Sequence, residues 1–190
     1  AKLQQIAEQA KAHPDRVFNT LMHLTDAEYL HQAYELTRKD GAAGADRVTA
    51  KEYAADLENR LQNLYCRMRN GQYKALPVRR VWIDKEDGKK RPLGIPAFED
   101  KIIQRAVSML PGAVYEQDFY DFSCGFRPGK GAHGALHAVR EHCMRMNIQW
   151  IADADISGFF DNIDHGLLRD IIKQRVNDGT VISYIGKWLN

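Results

Sequence analysis

Residues 150–164 read WIADADISGFFDNID. The first half has the composition of a short buried strand, and residues Gln149 to Ile156 are expected to form one. Two aspartates interrupt it. Asp153 and Asp155 are two positions apart, so on a strand both side chains point to one face. Like charges placed there repel unless a cation or a Lys/Arg side chain lies between them, and a buried carboxylate without a partner is costly. Hard oxygen donors of this kind are what magnesium takes. The plainer reading is a strand end leading into a helix, with Asp161 or Asp164 as its N-cap and the helix running to about Val176.

Working outward, SCGFRPGKG (123–131) reads as a loop between two helices. Ala132 to Met146 follows it, and FEDKIIQRAVSML (98–110) precedes it. The core face of the latter is Ile102, Ile103, Ala106, Val107 and Leu110, and Pro111-Gly112 should kink or end it. Before that, Val78, Val81, Trp82 and Ile83 suit a strand. Asp87-Gly88 signals a hairpin turn, and Arg91 to Ile95 returns as the partner strand, with Pro92 marking it as an edge. Thr49 to Glu52 has capping-box spacing and opens a helix with Tyr53, Leu57, Leu61, Leu64 and Met68 on one face, ending at Asn70-Gly71. KDGAAGAD (39–46) is a glycine-rich loop. Thr25 to Glu28 has the same capping-box spacing, predicting a helix from Asp26 to about Arg38. Asp15 can cap a short helix to about His23, and residues 2–12 read as a helix broken at His13-Pro14. The final VISYIGKWLN begins another element. Helices and strands are mixed without regular alternation, so the class is α+β.

The 190 residues are 44% hydrophobic, enough to bury a core, and carry a net charge of +2. That charge is unevenly spread. From Arg67 to Arg91 there are nine Lys/Arg against three acids, whereas the flanking segments are each −2. A basic strip in a near-neutral chain suits a phosphate-binding face, and equally a solvated, lysine-rich hairpin; charge alone leaves both open. No stretch approaches the roughly 18 consecutive apolar residues of a membrane span. The N-terminal residues lack the apolar core of a secretory signal. Three widely spaced cysteines indicate neither a disulfide framework nor a zinc site, which points to a reducing cytoplasm. His133, His137 and His142 share one expected helix, but H-E-x-x-H is absent and the His137–Glu141–His142 spacing fits no zinc-protease signature; a P-loop signature is absent too.

Four segments carry a resemblance, in order along the chain: KDGAAGADRVT (39–49), GKKRPLGIPAFEDKIIQRAV (88–107), DFSCGFRPGKGAHGAL (121–136) and DADISGFFDNIDH (153–165). Together they resemble the glycine-rich N-terminal segment, the fingers motif, the Gly-Phe-Arg-Pro-Gly motif and the first palm motif of group II intron reverse transcriptases. The resemblance covers about residues 20–190. It implies an incomplete right-hand polymerase fold. Residues 1–48 would be a helical N-terminal extension, 49–148 the fingers with some palm helices, and 149–190 the start of the palm.

It also implies roles. Asp155 matches the first catalytic aspartate, a ligand of both magnesium ions, and the Ile156 carbonyl would face the nucleotide-side ion. The amides of Gly158 and Phe159 would approach the triphosphate. Phe160 matches the residue under the sugar, which clashes with a 2′-hydroxyl and favours dNTP; by residue type alone it could be an ordinary core Phe. Lys85 and Arg91 match two fingers cations that hold the triphosphate, one on each side of the hairpin turn. Arg79, Arg80, Lys89 and Lys90 would meet template backbone or solvent. Ser157 stands where the family often has Lys. Asp153 is read as structural, and Arg127 as a salt-bridged structural residue in preference to a template contact.

The family's second palm motif, Tyr/Phe-Ala-Asp-Asp, does not occur in the 190 residues. The chain is therefore expected to be a front piece of such an enzyme, inactive alone. The implied partners are an intron RNA template, a DNA primer and dNTP, in a bacterial cytoplasm and not at a membrane. An incomplete palm would expose strand edges and apolar surface, which a homodimer could cover. Two other readings stand beside this one. One is an RNA-binding maturase module without catalysis; the other is a different bacterial lineage, namely a retron, diversity-generating or defence-associated enzyme.

Overall fold

The computed structural model describes residues 2–84, 88 and 90–189. Its elements run α1 (Lys2–Ala12), α2 (Ala27–Leu36), α3 (Ala50–Ala54), α4 (Leu57–Arg69), β1 (Arg79–Asp84), β2 (Lys90–Ile95), α5 (Phe98–Tyr115), α6 (Ala132–Met146), α7 (His165–Lys173) and α8 (Gly179–Leu189). Single 3-10 turns sit at Met22–Leu24 and Phe160–Asn162.

The core is built around α5. Its buried residues include Phe98, Ile102, Ile103, Ala106, Val107, Leu110 and Val114, which recur at helical spacing along its length. Helices α1, α2 and α3 pack on it, and α4 packs on α2 and α3. Fully burying each large aliphatic side chain is worth about 2 kcal/mol, and Ile102, Ile103 and Leu110 are completely inaccessible. The Tyr29 hydroxyl donates to the Ala106 carbonyl at 2.9 Å, so this buried hydroxyl has a partner. A single buried cluster runs from Ile6 to Tyr184.

Helix α5 continues through Pro111 to Tyr115, where the sequence suggested a kink or an end. Proline removes one backbone donor, but Leu110 and Val114 on either side of it are buried, and that apolar stripe holds the last turn in place. The expected helix from Thr49 to Asn70 is two helices, broken after Ala54. The Thr49–Glu52 capping box is formed, the Glu52 amide donating to Thr49 Oγ1 at 3.2 Å and the Thr49 amide to Glu52 Oε2 at 2.8 Å. At α2 the cap is Asp26, which accepts from the Tyr29 amide at 2.9 Å. Thr25 instead donates its hydroxyl to the Met22 carbonyl at 2.6 Å.

Two expected elements are absent. Asp15 to His23 does not form the helix its cap suggested. That stretch is drawn out to pair with residues 175–177: the Phe18 amide donates to the Arg175 carbonyl at 2.8 Å, and the Asn177 amide to the Phe18 carbonyl at 2.9 Å. Gln149 to Ile156 does not form a strand either. A ladder needs a neighbour to receive its backbone groups, and the only sheet among the described residues is the two-stranded β1–β2 ribbon.

Candidate nucleic-acid interface

The β1–β2 ribbon is antiparallel, with Arg79 opposite Ile95, Arg80 opposite Gly94, Val81 opposite Leu93, Trp82 opposite Pro92, Ile83 opposite Arg91 and Asp84 opposite Lys90. Gly88, between the two strands, has φ +77°, a left-handed value that glycine adopts freely, while Asp87, its companion in the expected turn, lies outside the described residues. Strand alternation puts Arg91 on the face of Val81, Ile83 and Leu93, and Arg80 with Trp82 and Lys90 on the other. Lys90 Nζ lies 3.8 Å from Asp84 Oδ1, an exposed pair of little energetic weight. Lys85 and Lys89 lie outside the described residues, so of the expected Lys85/Arg91 pair only Arg91 is described.

Arg79 does something the sequence did not announce. Its Nε and Nη2 both donate to the Ala43 carbonyl, at 3.0 and 2.8 Å. From α5, Lys101 Nζ donates to the neighbouring Ala42 carbonyl at 2.7 Å. The lead-in to β1 is tied to α5 as well: Asp100 accepts from the Tyr73 hydroxyl at 2.6 Å and the Leu76 amide at 3.0 Å. Burial pushes the Asp100 carboxyl above the ordinary carboxylate range, against the pull of those two donors.

Residues 149–162 are laid open. Trp150 is 90% exposed and Phe160 80%, while Ile151, Ile156 and Phe159 are also exposed. Phe160 is thus not a core residue here. Asp153 and Asp155 are exposed on an extended stretch without strand partners. Gly158 has φ +61° and makes a tight turn that Asn162 closes, Nδ2 donating to the Gly158 carbonyl at 2.8 Å. A Cβ on Gly158 would stand 3.0 Å from that amide nitrogen. Asp164 N-caps α7, accepting from the Leu167 amide at 2.8 Å. Hydrogen bonds from the Leu167 and Gly166 amides hold its carboxyl below the usual range. Chymotrypsin should accordingly cut after Trp150, Phe159 or Phe160 well before it reaches buried Tyr53 or Phe98. Mass spectrometry of the early fragments checks this.

Arg127 is structural, as its expected salt bridge implied. Nε and Nη2 donate to Glu116 Oε1 at 3.0 and 2.7 Å, while Nη1 donates to the Tyr120 and Ser123 carbonyls. Among the described residues no three His, Cys, Asp or Glu side chains gather where they could hold a metal ion. Asp155 and the Ile156 carbonyl are hard oxygen donors, the chemistry that magnesium takes, with water and phosphate filling its remaining positions.

A family model described as reverse transcriptase (RNA-dependent DNA polymerase) matches residues 83–189, from the end of β1 through α8. The chain belongs to the reverse transcriptase family. Within that family its likeness is to the group II intron type. It is 33% identical over 191 residues to the group II intron-encoded protein LtrA of Lactococcus lactis, covering 100% of this chain and 32% of that protein. It is 35% identical over 178 residues to protein YkfC of Escherichia coli, covering 90% of this chain and 47% of that protein. A putative COX1/OXI3 intron 2 protein of Saccharomyces cerevisiae is 27% identical over 87% of this chain. This reverse transcriptase chain thus spans less than half the length of the curated relatives it matches. None of its helices, among the described residues, is long and apolar enough to cross a membrane.

Proposed function

We propose that these residues are the fingers and the opening of the palm of an RNA-directed DNA polymerase, one that copies intron RNA into DNA and helps that RNA splice. The observation that carries this reading is that the solvent-exposed, cation-bearing strand β2 and the Asp155–Gly158 turn both lie within the segment that matches the family. Residues 1–48 would be the helical extension, 49–148 the fingers and 149–190 the start of the palm of a right hand.

In this reading Lys85 and Arg91 grip the dNTP triphosphate, Arg as a planar two-pronged donor and Lys as a point charge. The amides of Gly158 and Phe159 approach the same phosphates, and Phe160 lies under the sugar. Arg80, Lys89 and Lys90 face the template backbone, while Arg79, expected to join them, spends its guanidinium on the Ala43 carbonyl. Asp155 and the Ile156 carbonyl would hold magnesium together with further carboxylates, and magnesium bound there would supply the charge stabilisation that phosphoryl transfer needs. The exposed 149–163 segment would be covered by more palm strands, or in the isolated chain by a homodimer. Primer extension on an RNA template should detect no dNTP incorporation by the 190-residue chain. Incorporation by it would overturn the assignment of Asp155 as one member of a larger carboxylate set.

RNA binding without catalysis is the second reading. It is favoured by the same exposed ribbon. RNA affinity should fall steeply with salt, because each phosphate contact adds about 0.7–0.9 to the logarithmic salt slope. Charge reversal of Arg80 and Lys90 to Glu should weaken it at least about tenfold and flatten that slope. Filter binding at two ionic strengths reads both, and an unchanged affinity would remove the ribbon from the RNA-binding face.

A further inference from the structure

An isolated two-stranded ribbon is marginal in water, and this one has little to lean on. Apart from Ile95 at its base, every residue of β1 and β2 is exposed or only half-buried, and neither strand packs broadly on a helix. Its direction is therefore set where it joins the core.

One short stretch, Ala42–Gly44, touches that junction from both sides. On the β1 side, the Ala43 carbonyl takes two donors from Arg79, the first residue of the strand. On the β2 side, Gly44 is buried against the backbone that follows Ile95. A Cβ there would lie 2.5 Å from Ala97 Cα and N and 2.6 Å from the Pro96 carbonyl oxygen. Because those are backbone atoms, only glycine fits without displacing the chain. Lys101, one turn into α5, anchors the same stretch through the Ala42 carbonyl. Arg79 and Ile95 are the cross-strand pair at the base of the ribbon, so both ends of the hairpin are held by three consecutive residues of the glycine-rich loop.

We infer that the Ala42–Gly44 loop is a clamp, closed by Arg79 and Lys101, which fixes the angle of the β1–β2 ribbon and so positions its exposed cations for nucleic-acid phosphate. Arg79 is then a positioning residue, turned toward the loop, and Lys101 is a positioning residue lying off the ribbon altogether. The clamp rests on contacts within the fold; only what the ribbon grips depends on the function proposed above. Pre-organisation of this kind saves the entropy of fixing the cations at the moment of binding.

The test uses the whole 190-residue chain. Lys101→Met removes the donor to Ala42 while keeping the length of the side chain, Lys101→Arg keeps a donor, and Gly44→Val forces the loop off Ala97. Amide hydrogen exchange is followed in peptides covering 79–84 and 90–95, alongside affinity for a labelled RNA oligonucleotide and the thermal midpoint. Lys101→Met should speed exchange in both ribbon peptides at least about fivefold and weaken RNA binding several-fold, with the thermal midpoint held; Lys101→Arg should restore both, and Gly44→Val should loosen the ribbon most. A merely structural role for Lys101 would not lower RNA affinity at an unchanged midpoint. Unchanged ribbon exchange in Lys101→Met overturns the clamp, whether or not Gly44→Val folds. Faster exchange with unchanged RNA affinity overturns the positioning role. If the unaltered chain binds no RNA, it is the proposed function that fails, and the exchange result alone then decides the clamp.

Discussion

Replacing Arg175 by alanine should cost the fold about 3 kcal/mol, the low end of what removing one partner of a buried ion pair does. The guanidinium is nearly inaccessible and every arm is in use. Nε and Nη2 meet the two carboxylate oxygens of Asp118 at 2.7 and 3.0 Å. Nη1 donates to the carbonyls of Arg16 and His13 at 2.7 and 3.2 Å, and Nη2 reaches the Ala10 carbonyl at 3.4 Å. Alanine would strand those carbonyls and the Asp118 carboxylate together. The figure sits at the low end because Asp118 is 30% exposed and recovers some hydration. Arg175→Lys keeps the charge but not the fork, and should recover less than half of the loss. Urea unfolding measures both, and a loss under about 1 kcal/mol for alanine would mean that water replaces the fork.

Asp178 should be almost as costly. Its carboxylate accepts four backbone amides: Leu21 at 2.6 Å, Met22 at 2.9 Å, Thr180 at 2.8 Å and Val181 at 3.1 Å. Two belong to the N-terminal segment and two to the first turn of α8, so one side chain both caps a helix and staples the two ends of the sequence together. Asp178→Ala leaves these donors without an acceptor and should cost about 3 kcal/mol. Burial pushes the Asp178 carboxyl up, but the amides of Met22, Leu21, Val181 and Thr180 outweigh it and hold the group below the ordinary carboxylate range. A carboxyl depressed in the folded state gives stability that is fully present above its unfolded pKa of about 3.9. That stability is lost as pH falls through the folded value. The stability curves of the unaltered chain and of Asp178→Asn should therefore run apart above about pH 4 and converge below it. Parallel curves down to pH 2 would exclude Asp178 as a source of acid sensitivity.

Much of this architecture can be read in the residues, for reasons that differ by element. Helix α6 was legible to the residue and α5 through its apolar periodicity, because spacing and flanking glycines are local signals. The turn at Gly88 was legible because its φ demands glycine. Family membership was legible from four ordered motifs, and the match over residues 83–189 agrees with it. What escaped was non-local. Nothing near Asp15 says that the chain after it will be stretched against residues 175–177. Nothing in 149–156 says that its strand composition will find no partner strand among the described residues. The roles of Asp178, Arg175 and Lys101 could not be seen either, since each acts on a carbonyl or amide far along the chain. Lys101 sits within a recognisable motif, FEDKIIQRAV, and Ala42 within GAAG, but motif spacing does not say that the two meet across 59 residues.

The pairing of Phe18 with Val176, and the side-chain bonds around it, also orders events in time. Ala10, His13 and Arg16 are made first, yet their partner Arg175 is 159 to 165 residues later. At a translation rate of about 5–20 residues per second, that partner follows roughly ten to thirty seconds behind. During this interval Phe18 and Leu21, both buried in the finished fold, lack the 175–178 segment they are bonded to. The nascent chain therefore carries these two apolar side chains without the segment they pair with until residue 178 has emerged, which makes it a natural client for a ribosome-associated holdase over that stretch of synthesis.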